Sequence, residues 1–170
     1  MAVDLVRLGI AKRTNDSVVG FEEVCRELGV EDFARCQLAP SAYLQRFWPD
    51  LATRAGDNIS VKGRYFEYLV SSVLYVSGVG PFYTSAQVPL VPNVEFDIFM
   101  YEEFHRPIVL SIKTSLRERY KQADLEAFAM KAVFRRAETY LVTLAEEEAD
   151  RESKKLEAGK MLALNGIVVA

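Results

Sequence analysis

Val-Glu-Phe-Asp-Ile-Phe-Met-Tyr at residues 94–101 and Ile-Val-Leu-Ser-Ile-Lys at residues 108–113 are two apolar runs joined by a short polar turn. Side chains in a strand alternate between two faces, so each run has an apolar face for a core. Asp97 in the first run and Ser111 and Lys113 in the second lie on the opposite face. Neighbouring strands are about 4.8 Å apart. The stretch therefore predicts a β-hairpin in which a carboxylate and an ammonium group share one small site.

The same residues allow two interpretations. One is a cross-strand ion pair on a solvated sheet face. The other is an active site, because Lys113 ends its strand just before a long charged helix, and catalytic groups of mixed α/β folds often lie at strand ends.

A third acidic residue precedes the hairpin. Residues 62–76 have the apolar stripe of a helix, and Glu67 stands beside that stripe between Phe66 and Tyr68. A buried carboxylate is costly unless it meets a cation, a metal or hydrogen-bond donors. The pattern therefore predicts that Glu67 converges with Asp97 and Lys113.

A helix Glu, a strand Asp and a strand Ser-x-Lys in this order resemble the PD-(D/E)xK nuclease superfamily, and most of all its type II restriction endonucleases. The matching stretches are residues 63–67, 94–97 and 111–124, within a region of about residues 60–170. The resemblance implies a metal-dependent DNA endonuclease, a hydrolase of phosphodiester bonds that uses Mg²⁺ or Mn²⁺. It also implies a restriction-endonuclease-like α/β core and a homodimer.

The chain departs from that family pattern at two positions. Phe96 replaces the name-giving Pro, and Ser111 replaces the second acid. Ser111 cannot supply the charge that helps to hold a divalent metal. In a subset of restriction enzymes that this sequence resembles, an acid from the following helix takes that role. Glu126 has the matching spacing, and Glu118 competes for the same role.

The resemblance implies a role for each site residue. Asp97 and the backbone carbonyl of Ile112 would bind the metal, and Glu67 with Glu126 or Glu118 would complete its ligands. Lys113 would hold the attacking water and help to deprotonate it or stabilise charge on the phosphate, and Ser111 would bind a water of the metal. The basic residues expected to hold the DNA backbone are Arg106, Arg117, Arg119 and Lys121.

The amino-acid composition limits the kinds of catalytic and metal site that the chain can form. His105 is the only histidine among 170 residues, which excludes histidine-based dyads and triads, and with two cysteines the usual zinc sites are also disfavoured. The net charge of −3 argues against a non-specific DNA binder. Cys25 and Cys36 are expected to be reduced thiols. The chain has no apolar run near the roughly 20 residues that span a membrane and no signal-peptide pattern, so a cytoplasmic location without membrane association is expected.

The predicted organisation is an N-terminal helical region at residues 1–58 and a nuclease-like core at residues 59–170. The fold class is α/β, with a mixed five-stranded sheet flanked by helices. The first three strands are expected to form an antiparallel meander, and the fourth to run parallel to the third after a crossover helix. The N-terminal helices either pack on the domain, form a dimer contact or read DNA as a helix-turn-helix. Strands are predicted at 82–90, 94–101, 107–113, 139–144 and 167–170, and the longer helices at 62–76, 116–134 and 146–164, with Ser115 as the N-cap of the second. Shorter helices are predicted at 1–13, 21–28 and 42–47, with a further turn or two at 31–37. Pro49 is expected to stop the helix at 42–47, which either ends there or resumes after it.

Three other functions remain open on the sequence alone. The chain could be a DNA-binding module that has the nuclease fold without activity, because Ser111 weakens the metal site. It could be a structure-specific nuclease of repair or junction resolution. It could also be an interaction domain in which Asp97 and Lys113 form a surface ion pair.

Overall fold

The computed structural model describes residues 3–30, 33, 36, 38–91, 94–103, 105–117 and 119–170. The chain forms two compact units, residues 1–80 and 81–170, and each is described by itself. None of the helices in the described ranges is long and apolar enough to cross a membrane.

The first unit contains three helices, α1 (Asp16–Glu27), α2 (Pro40–Ala55) and α3 (Ile59–Val76). The side chains of Asn15 and Asn58 accept backbone N–H bonds at the starts of α1 and α3, as helix N-caps do. Aromatic edge-to-face pairs join the helices, among them Phe21 with Tyr65 and Trp48 with Phe66. These contacts place α3 with the helices that precede it, in the first unit. The sequence prediction had instead assigned residues 59–76 to the nuclease-like core.

Two expectations for the first unit are wrong. Residues 5–9 form turns instead of the predicted short helix. Pro49 lies inside α2 and does not stop it. The helix continues because Tyr43, Phe47 and Leu51 are all buried at helical spacing, and ending at Pro49 would forfeit the burial of Leu51. The predicted turn at residues 31–37 falls largely outside the described residues.

The second unit contains the predicted mixed sheet of five strands, in the order β1-β2-β3-β4-β5. Strands β1, β2 and β3 form the expected antiparallel meander, and β4 runs parallel to β3 as predicted. β5 extends the sheet parallel to β4. The strands span Phe82–Gln87 (β1), Glu95–Glu103 (β2), Arg106–Lys113 (β3), Glu138–Thr143 (β4) and Gly166–Val169 (β5).

Two helices of the second unit are shorter than predicted. α4 spans Arg119–Val133, so Ser115 is not its N-cap; the backbone of Arg117 has a positive φ of 35°, which is not helical. α5 spans Glu146–Glu157 and does not reach residue 164, because Gly159 adopts a left-handed φ of 68°. Glycine at such a position commonly ends a helix.

The face of β3 that carries Lys113 is covered, which corrects the simple alternation expected for this strand. Val109 is buried although it shares a face with Lys113, whereas Ile108 and Leu110 on the supposed core face are only half-buried. Val109 packs in one cluster with Phe99 of β2 and Met130 of α4. The face that carries Asp97 and Lys113 is therefore also the face on which α4 packs.

Candidate active site

The predicted pair forms between β2 and β3. The Nζ atom of Lys113 lies 2.7 Å from Oδ2 of Asp97, and the backbone N–H of Ile112 donates to the same oxygen at 2.6 Å. The two side chains are only 18% and 19% exposed. The pair is therefore partly withdrawn from water, where its electrostatic interactions are stronger than at a free surface.

β2 and β3 are not paired with each other at Asp97. Among the described residues, backbone pairing of β2 with β3 ends at Ile98 and Leu110, and it does not continue to Asp97 and Ser111. The N–H of Ile112 turns to the Asp97 carboxylate instead. In a strand the N–H and C=O of one residue face the same neighbour. The carbonyl of Ile112 therefore faces the same opening as Asp97, which is the placement that a shared cation would need.

Helix α4 brings Glu126 towards this pair. Met130 packs against Phe99 and Val109, and Glu126 lies one turn earlier on the same helix face. Because α4 begins just beyond the end of β3 and runs back over the sheet, that earlier turn is nearer Lys113. Glu126 interacts electrostatically with both Lys113 and Asp97. The acid expected from the helix is thus close to the strand pair.

Burial is the main influence on the pKa of the Glu126 carboxyl. It raises the pKa of the carboxyl above the ordinary glutamate value, and the Asp97 charge raises it further, while a hydrogen bond from Gln122 and the Lys113 charge lower it. The net effect disfavours the carboxylate. A second cation beside Asp97 would offset this cost.

Glu126→Gln is expected to stabilise the metal-free protein at neutral pH. A carboxyl whose folded pKa is raised destabilises the fold above that pKa and has no such effect below the unfolded value. The gain in unfolding free energy should therefore be absent in acid and grow as pH rises through the glutamate range. Urea unfolding at several pH values measures it, with exposed Asp150→Asn as control. A gain of equal size at every pH would contradict this account.

Residues with a positive backbone φ occur at the Asp97 end of the sheet. Three non-glycine residues in the described ranges have a positive φ: Ser85 (47°), Leu90 (70°) and Arg117 (35°). Ser85 stands opposite Asp97 in β1, between the paired residues Thr84 and Ala86. Leu90 lies in the β1–β2 loop, and Arg117 in the β3–α4 loop. Both loops leave the sheet at the Asp97 end, and such strain often accumulates at functional sites.

Glu148 of α5 holds the strained β3–α4 loop. Its Oε2 atom accepts N–H bonds from Leu116 at 2.5 Å and from Arg117 at 3.2 Å. These bonds lower the pKa of the Glu148 carboxyl. The carboxylate thus fixes the loop that directly follows Lys113.

The predicted DNA-binding residues fall in two places. Arg117, Arg119 and Lys121 are exposed on the loop and helix after Lys113. Arg106 is at the opposite end of β3, about 23 Å away at 3.3 Å per residue. It forms ion pairs there with Glu102 and Glu138. Three of the four residues therefore lie at the same end of the sheet as Asp97.

The remaining predicted site residues have different positions. Ser111 is 6% exposed and pairs with Leu141 of β4, on the same face of β3 as Lys113. Glu67 lies on α3 in the first unit. Glu118 is outside the described residues. The second unit therefore brings together Asp97, Ser111, Ile112, Lys113 and Glu126.

The donor chemistry fits magnesium. Within the described ranges, no group of three or more His, Cys, Asp or Glu side chains is placed to hold a metal. Mg²⁺ is usually bound by one or two carboxylates and keeps several waters. Asp97, Glu126 and the Ile112 carbonyl would supply two carboxylates and one further oxygen.

Ser85, Leu90 and Glu148 are not among the site residues predicted from the sequence. The first two are notable for their backbone conformation, and Glu148 for a contact across 31 to 32 residues. Only Leu90 carried a local signal, since Val88-Pro-Leu-Val91 is a turn sequence with a leucine where glycine or asparagine is usual.

No protein-family model matches the chain, and comparisons with curated proteins and with solved structures give no significant match.

Proposed function

We propose that the protein is a metal-dependent DNA endonuclease with a restriction-endonuclease-like core of the Ser-x-Lys kind. The observation that carries this proposal is the Asp97–Lys113 pair at an opening between two strands, with Glu126 close by on the covering helix. A carboxylate pair beside a lysine is suited to phosphodiester hydrolysis. Mg²⁺ or Mn²⁺ is the proposed cofactor and DNA the proposed substrate.

Each residue has a defined task in this proposal. Asp97, Glu126 and the Ile112 carbonyl hold the cation, which when bound neutralises charge on the phosphate and favours ionisation of water. Lys113 orients the attacking water and stabilises negative charge on the phosphate. Arg117, Arg119 and Lys121 bind the DNA backbone next to the site. The resemblance also implies a homodimer, whose two-fold symmetry suits cleavage of both strands of a palindromic site.

A DNA-binding module without activity is the second candidate. Two observations favour it. Lys113 forms an ion pair with Asp97 and so neutralises its charge, and Ser111 supplies no charge. In this alternative the ion pair is structural, and the basic loop after Lys113 binds DNA without cutting it.

Cleavage of supercoiled and mixed-sequence linear DNA tests the proposal. We expect wild-type protein to cut with Mg²⁺ or Mn²⁺ and to be inactive with chelator. Asp97→Ala should remove both cleavage and metal affinity measured by calorimetry. Discrete fragments would indicate sequence specificity, and preferential cutting of branched DNA would indicate a structure-specific nuclease. DNA binding without cleavage or metal affinity in the wild type would establish the second candidate.

A further inference from the structure

The β1–β2 loop contains a turn that presents one leucine to solvent. The N–H of Val91 donates to the carbonyl of Val88 at 3.1 Å. Pro89 at the second position and a positive φ at the third are the features of a type II turn. The third position is Leu90, with a φ of 70° and a side chain that is 83% exposed.

Leucine is a costly residue at this position. A left-handed backbone brings the Cβ atom close to the following carbonyl, so glycine or asparagine is usual there. The anchoring of the turn comes from its neighbours: Val88 and Val91 are 5% and 4% exposed and belong to the core cluster with Phe96. Leu90 thus adds backbone strain and little burial, which indicates a role outside the folding of the chain.

The location of the turn indicates which partner Leu90 meets. β1 ends, β2 begins and β3 ends at the same edge of the antiparallel meander, so the turn lies at the Asp97 end of the sheet. The exposed Arg117 and Arg119 follow Lys113 at that end. DNA bound at the candidate site would pass beside the turn.

We propose that Leu90 is a wedge that enters the base stack of bound DNA. Apolar side chains, leucine among them, unstack base steps when inserted from the minor groove and kink the duplex. One side chain is enough for this task. A docked protein would instead need about 800 Å² of surface on each partner, which a single leucine at a turn does not provide. The inference rests on the proposed function, because it takes DNA as the substrate of the same site.

Helical unwinding of the DNA provides the test. A nicked plasmid is sealed by ligase while bound to Lys113→Ala protein, which is expected to bind without cutting. We expect the linking number to fall, since an inserted side chain unwinds the duplex. Adding Leu90→Gly should abolish this change and weaken binding to a labelled duplex roughly tenfold. The glycine variant should be at least as stable to heat, because glycine accepts the positive φ.

Two further variants sharpen the result. Leu90→Phe keeps an apolar wedge and should keep the unwinding. Leu162→Ala removes another leucine that is 66% exposed and should change nothing. Equal unwinding and affinity with and without Leu90→Gly would overturn the wedge. So would loss of a dimer on Leu90→Gly, seen by sedimentation, since Leu90 would then belong to a contact between chains. Wild-type protein that neither binds nor cuts DNA would overturn the proposed function itself.

Discussion

Lys113→Ala is expected to lower DNA cleavage by about 10²- to 10⁴-fold, the usual contribution of a positioned acid–base group. The same change should strengthen metal binding, because the ammonium that now lies 2.7 Å from Asp97 would no longer neutralise that carboxylate. Cleavage rates at saturating Mg²⁺ and calorimetric titration with Mn²⁺ measure the two effects separately.

A fall in the cleavage rate together with a rise in metal affinity would distinguish a functional Lys113 from a structural one. Asp97→Asn should lose both cleavage and metal affinity, whereas Lys113→Ala should lose only cleavage. Lys154→Ala, on the exposed surface of α5, is the matched control and should change neither. Cleavage by Lys113→Ala at the wild-type rate would remove Lys113 from the mechanism.

Asp124→Ala is expected to destabilise the second unit by about 3 kcal/mol, since a buried carboxylate that accepts several N–H bonds is lost. Oδ2 of Asp124 accepts from Leu162 at 2.7 Å, and Oδ1 accepts from Ala163 at 2.8 Å and Leu164 at 3.1 Å. Asp124 is 7% exposed, so these three donors would be left without a partner and largely without water. Urea unfolding followed by tyrosine fluorescence and by circular dichroism measures the loss.

Two variants control for the change of charge. Asp124→Asn keeps one carbonyl oxygen and should cost less than Asp124→Ala. Asp150→Ala removes an exposed aspartate from α5 and should stay within about 0.5 kcal/mol of the wild type. If Asp124→Ala were no more costly than Asp150→Ala, the three N–H bonds would not be stabilising residues 162–164.

The sequence predicted those features that depend on local alternation. The hairpin, the meander and the meeting of Asp97 with Lys113 follow from period-two patterning and strand spacing. The parallel direction of the fourth strand follows from the crossover helix that precedes it. The resemblance implied an acid from the following helix, Glu126 or Glu118, and Glu126 does lie within electrostatic range of the pair. The chemical roles of these residues stay predictions.

The features that the sequence did not predict depend on backbone conformation or on distant contacts. Arg117 delays the start of α4 through a positive φ that a basic residue rarely adopts. Val109 is buried because α4 covers a face that alternation alone marked as polar. Asp124 is a capping group for residues 38 to 40 positions away. No local pattern encodes these three relationships.

The meander has a consequence for the order in which the chain folds. β1, β2 and β3 are joined by short loops, so their pairing closes small loops and should form early. The β3–β4 crossover, residues 114–137, must close a longer loop. The chain should therefore form the Asp97–Lys113 pair before β4 joins the sheet.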